Sequence, residues 1–195
     1  MTWDNHVTFT TNTAAININD VQDMGTRNLI FTTNGNPSIN AGLAGTGNLT
    51  FQSTTNNIDM GIGDGQTGNV LLSNAGLGNI LNGWGSTSFA TTGTGADINL
   101  GAYTWQYDTV FRTGAGILTV AGDQITNQDM TFESNSNMAI NASLSGSGTL
   151  TIRGQAAGTT MTVAGTGGTI VIDTTELGRI TDGWDQIVFG RSDGT

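Results

Sequence analysis

The chain has 195 residues and a net charge of −10, carried by 15 acidic residues against five Arg, and Gly, Thr and Asn together make up 84 of its positions. Neutralising a phosphate backbone needs clustered Lys and Arg; no Lys and five scattered Arg argue against nucleic acid and disfavour anionic membrane surfaces as partners. The absence of Cys excludes disulfides, thiolate metal sites and cysteine nucleophiles, and no apolar run approaches the length that spans a bilayer, so no membrane insertion is expected.

Met1 to His6 has neither the charged start nor the apolar stretch of a secretory signal, so the chain is read as intracellular or as a piece of a longer protein. From there the pattern is strand, turn, strand: VTFT at Val7, AINI at Ala15, NLTF at Asn48, ILTV at Ile117, TLTI at Thr149, TMTV at Thr160 and TIVI at Thr169 alternate apolar with polar or are β-branched throughout. Asn34-Gly35, Asp64-Gly65, Asn82-Gly83, Asp182-Gly183 and Asp193-Gly194 punctuate these runs, with Gly-rich links at Gly45-Thr46-Gly47 and Gly146-Ser147-Gly148. About sixteen short strands are expected and no helix. Disorder is the weaker reading, because 36% of the chain is apolar and only 10% is charged, so burial offsets chain entropy.

The chain also repeats itself. Asn28 to Phe51 aligns without gaps on Asp129 to Ile152 with 11 of 24 positions identical, and Leu77 to Phe89 matches Leu177 to Phe189 at six of 13. Trp3 and Phe9 find counterparts in Trp105 and Phe111. Two units follow, 1–101 and 102–195, continuous with each other and each carrying a charge of −5. A near-duplicate of this length with no linker between copies is what a quasi-one-dimensional stack produces. The expected fold is all-β, a parallel β-helix (β-solenoid) of two tandem repeats. About ten turns of about twenty residues would give a rod of about 45 to 50 Å, with Leu, Ile, Val and Phe in rows inside and Thr, Asn and Ser outside.

The sharpest signature is Leu77-Gly78-Asn79-Ile80-Leu81-Asn82-Gly83-Trp84, repeated as Leu177-Gly178-Arg179-Ile180-Thr181-Asp182-Gly183-Trp184, each followed by a strand ending at Phe89 or Phe189. Its structural reading is a short out-of-register segment, an Asx-Gly turn and a Trp that covers a corner. Its functional reading makes Trp84 and Trp184 platforms for stacking on a sugar face. Set among Gly-, Thr- and Asn-rich strands and followed by RSDGT, this signature resembles the repeats of filamentous-haemagglutinin-like surface proteins and two-partner-secretion adhesins of bacteria. The resemblance implies a right-handed β-helix outside the cell, at the bacterial surface, forming the shaft of a giant adhesin or fibre of the kind found in biofilms.

Catalysis is not expected. Polysaccharide-active β-helices carry paired Asp with His and Lys or a proton-abstracting base with Asp-bound calcium; here there is no Asp-Asp, no Lys, one His at position 6, and no recurrent acid cluster around Arg27, Arg112, Arg153, Arg179 or Arg191. No cofactor is expected either. Calcium enters only through Gly61-Ile62-Gly63-Asp64-Gly65, which partly matches the Gly-x-Gly-x-Asp core of calcium-binding rolls, with Asp64 as the speculative ligand. Four T-x-T triplets, at Thr8, Thr92, Thr149 and Thr160, are the type used on ice-binding faces, but their spacing is irregular. The expected function is a structural rod that contacts itself end to end or through flanking repeats, with glycan or ice binding as the alternative and a polysaccharide-active enzyme as the remote one.

Overall fold

A computed structural model describes residues 4–192, so Trp3 and the Asp193-Gly194 turn lie outside the described residues. The chain winds through three faces per turn. The first turn is β1 (Val7–Thr10), β2 (Asn17–Ile18) and β3 (Gln22–Asp23); the second is β4 (Leu29–Thr32), β5 (Ser38–Ile39) and β6 (Leu43–Ala44). The third is longer: β7 (Asn48–Gln52), β8 (Met60–Ile62), β9 (Val70–Leu72) and the helix α1 (Asn74–Gly78). Then come β10 (Ser86–Thr91), β11 (Ile98–Leu100), β12 (Tyr103–Trp105); β13 (Thr109–Thr113), β14 (Leu118–Val120), β15 (Gln124–Thr126); and β16 (Met130–Ser134), β17 (Met138–Ile140), β18 (Leu144–Gly146). The seventh turn repeats the third, with β19 (Thr149–Gly154), β20 (Met161–Val163), β21 (Ile170–Ile172) and α2 (Thr174–Leu177), and β22 (Gln186–Phe189) opens an eighth.

All the pairings are parallel. The first face is one eight-stranded sheet, β1-β4-β7-β10-β13-β16-β19-β22, and the second carries β17-β14-β11-β8-β9. A nearly all-β chain with long parallel sheets is compatible with a parallel β-solenoid. The first face holds eight strands rather than ten because two passes are long: Leu49 pairs with Thr87 and Leu150 with Ile187, whereas Leu29 pairs with Leu49.

Register follows from what each column buries. Phe9, Phe31, Phe51, Phe89, Phe111 and Phe132 face inward in one row, continued by Ile152 and Phe189. Successive rings stack 4.9 to 5.7 Å apart, each such pair contributing about 0.5–1.5 kcal/mol beyond its burial. A slip of one residue would turn the whole row to solvent.

The corners are held by Asx side chains. Asn28 Oδ1 accepts from the Asn48 N–H (2.9 Å), Asp108 from Asp129 (3.1 Å) and Asp129 from Thr149 (2.7 Å). Asp59 accepts from Asp97 (2.9 Å), Asp97 from Ile117 (2.7 Å) and Asp123 from Ser143 (3.0 Å). In every case the acceptor sits on the earlier turn and the donor on the later one, so the stack has a direction. His6 joins the same column, its Nδ1 accepting from the Asn28 N–H at 2.9 Å.

The two helices correct the expectation of none. Ser73 caps α1 by accepting from the Gly76 N–H, and Asp173 with Glu176 forms a reciprocal capping box on α2. Leu77-Gly78 and Leu177-Gly178, the first half of the repeated signature, are therefore helix ends.

Candidate functional site

The Asx-Gly turns are where the sequence put them. Gly83 and Gly183 have φ of 124° and 121°, which a side chain would not tolerate. Each turn swings a Trp inward. Trp84 is buried and donates its Nε1–H to the Leu43 carbonyl at 3.2 Å. Its ring lies on Gly45, where a Cβ would come within 2.7 Å of it, and Trp184 approaches Gly146 equally closely, at 2.6 Å. Trp84 therefore offers no exposed face to a sugar. Trp184 is half-buried, and its buried Nε1 has no hydrogen-bond partner. The reason is local: Thr181 donates both its N–H (2.9 Å) and its hydroxyl (3.1 Å) to the Leu144 carbonyl, the counterpart of the one Trp84 uses, whereas the first unit has Leu81 there.

Asp64 sits in an exposed turn, where its carboxylate accepts from the Asn74 N–H at 2.9 Å and Asn74 Oδ1 accepts from its own N–H at 3.2 Å. Among the described residues no three His, Asp or Glu converge as metal ligands. The T-x-T triplets do not gather into one face. The outward row of the first sheet runs Thr8, Ile30, Thr50, Ser88, Val110, Thr131, Thr151, Val188, so its hydroxyl residues are interrupted by the branched apolar Ile30, Val110 and Val188.

Beside that row lies a group the sequence reading missed. Glu133 is 4% exposed and held between Arg112, whose Nε is 2.5 Å away, and Arg153, whose Nε is 2.9 Å away. Burial pushes its carboxyl up, but hydrogen bonds and charge from the two guanidiniums outweigh that and hold it below the ordinary range. The signal was present: positions 112, 133 and 153 are one turn apart. Asp123 is likewise held low, here by the Ser143 N–H and hydroxyl.

The long third turn also breaks the third face. Ile80 bridges Leu43 on one side, while β12 pairs only with β15 in the sheet β12-β15-β18. Aromatic side chains fill the break. Trp105 packs against Tyr103, Tyr107, Phe89 and Phe111 at 4.7 to 5.9 Å. Its Nε1–H donates to Gln124 Oε1 at 2.8 Å, while Gln124 Nε2 donates to the Gly101 and Gly122 carbonyls. Tyr107 Oη reaches the Leu77 carbonyl at 3.5 Å, and burial pushes its phenol far above the usual 10.0. Burial also raises Tyr103, with a hydrogen bond to Tyr107 acting against it. Outside this plug runs a groove of about 420 Å³ edged by Asn82, Thr104, Gln106, Ile125 and Asn127.

Compared with family models, curated proteins and solved structures, the chain matches none.

The most distinctive surface is the C-terminal end. In the first unit Met60, Ile62, Leu77, Ile80, Trp84 and Phe89 are all buried, at 0 to 4% exposed. Their counterparts Met161, Leu177, Ile180, Trp184 and Phe189 are half-buried, and Val163 and Ile187 are 37% and 42% exposed. What differs is the cover. The first unit has β11 over β8, with Ile98 on Met60 and Leu100 on Ile62, and β13 over β10, with Phe111 on Phe89; among the described residues no strand follows β22 or β20 in this way.

Proposed function

We propose that this chain is a structural, non-catalytic rod segment of a large extracellular bacterial adhesin or cell-surface filament. In this reading it is a right-handed parallel β-helix of two tandem repeats that stacks end to end. The observation that carries the reading is the continuity of the stack, eight parallel strands in one sheet with an inward row that runs from Phe9 to Phe189. A stack whose turns contact only their neighbours extends by adding further turns of the same kind. The carboxylates support the same reading, because Asp59, Asp97, Asp108, Asp123 and Asp129 bond to the turn above them and Glu133 is bound between two arginines, which is a mechanical use of acidic residues.

The test is the size distribution by light scattering and negative-stain electron microscopy across concentration, at 0.15 M salt and above to screen the acidic charge, with and without calcium. Eight strands at about 4.8 Å give about 38 Å per copy, and particles that lengthen in whole multiples of that value are expected. A single compact species at every concentration would overturn the reading.

A further inference from the structure

The two Asn-Gly pairs of the chain, Asn34-Gly35 and Asn82-Gly83, stand in unlike surroundings. From that contrast we infer a modification site that is independent of the rod reading: Asn82 deamidates without an enzyme, by attack of the Gly83 nitrogen, while the fold protects Asn34.

An Asn-Gly pair hinders this reaction least, because glycine puts no side chain beside the attacking nitrogen. What remains is that the side-chain amide lie against that nitrogen and be free to turn onto it. At Asn82 both hold. The Gly83 N–H donates to Asn82 Oδ1 at 2.8 Å, so the amide is folded back on the nitrogen that follows it. Neither group has another hydrogen-bond partner among the described residues, and both residues are exposed to solvent base. Beyond them the turn is anchored, because Trp84 is buried and its indole N–H donates to the Leu43 carbonyl.

Asn34 is held instead. Its Nδ2 donates to Asn12 Oδ1 at 3.0 Å and to Thr55 Oγ1 at 3.2 Å, and its Oδ1 accepts from the Thr54 N–H at 2.9 Å. The amide is thereby tied to the turn before and the turn after. The Gly35 N–H is engaged elsewhere, on Thr33 Oγ1 at 2.9 Å. Turning the Asn34 amide onto Gly35 would break these bonds, and losing its nitrogen would remove two of them for good.

The step at Asn82 needs only base and water. Hydroxide takes the Gly83 N–H proton, the nitrogen pair forms a bond to Asn82 Cγ, and the Cγ–Nδ2 bond breaks, the amide nitrogen leaving as ammonia with a proton from water. Water then opens the five-membered imide. Addition at Cγ gives aspartate, and addition at the main-chain carbonyl carbon gives isoaspartate, in which the chain runs through Cγ. The second unit shows that a carboxylate suits this turn: Asp182 stands in place of Asn82, and Gly183 has a φ of 121° against 124° for Gly83. In the first unit the new charge appears on the rim of the groove of about 420 Å³, whose lining holds amides, hydroxyls and apolar groups but no charged residue. Deamidation therefore makes a neutral groove acidic as the protein ages.

The test ages the whole chain at mildly alkaline pH and body temperature and reads both sites by electron-transfer fragmentation, which separates aspartate from isoaspartate. Asn82 should convert about ten times faster than Asn34, or more, with isoaspartate among its products. In urea, where both pairs are released from the fold, the two rates should become nearly equal. Equal conversion of the two sites in the folded chain, a preference that survives urea, or aspartate without isoaspartate at position 82 would overturn the inference.

Discussion

Two residues decide how each signature turn is finished. Gly45 leaves room for the edge of the Trp84 ring, which a Cβ there would meet at 2.7 Å, so G45A should cost about 1 to 3 kcal/mol through overpacking. Chemical denaturation of G45A, W84F and the double variant checks the cause: the smaller ring should relieve part of the loss, giving a double variant less destabilised than the two singles summed. The second residue is Thr181. Its hydroxyl occupies the Leu144 carbonyl and leaves the Trp184 Nε1–H without an acceptor, which is a penalty of about 1 to 3 kcal/mol when such a group is buried. Restoring the first unit's residue, T181L, should free that carbonyl, raise the midpoint of unfolding and shift the Trp184 fluorescence. Unchanged emission would show that the indole N–H does not take the carbonyl.

At the scale of the elements, the largest sheet is stitched on its outer side by Arg112, Glu133 and Arg153 on three consecutive strands. Because Glu133 is held below its ordinary value of 4.5, it stabilises the fold fully above that pH. The contribution is lost as pH falls through the lowered folded value. E133Q should therefore destabilise by about 2 kcal/mol at pH 7, and thermal melts should converge with the parent as pH drops below 4.5. Parallel melting curves at all pH values would remove the ion triad from the account. The strands and inward rows were legible in the sequence because alternation and β-branching are local signals. The helices were not foreseen, although Asp173-Thr174-Thr175-Glu176 has the spacing of a capping box; the β-rich setting outweighed four residues. The role of Trp105, Tyr107 and Gln124 was hidden for another reason. They fill a break that arises only when a long turn puts two strands into one face and a single bridge into the next, and no local pattern reports such a mismatch between faces. The glycan role weighed for Trp84 went the same way, since only packing reveals that Gly45 draws the ring inside.

On the scale of the whole molecule, direction is the organising property. Corner acceptors on each turn bond to donors on the next, and the aromatic row runs from Phe9 to Phe132 without a gap. A net charge of −10 opposes the end-to-end meeting of copies at low ionic strength and fades with screening, so association should strengthen with salt. The most direct test of the central claim is amide hydrogen exchange as a function of protein concentration. The account predicts that protection rises together in β1 and in β22, while the interior strands stay as they were. Protection that rises elsewhere, or that stays constant at both edges while particles grow, would contradict it.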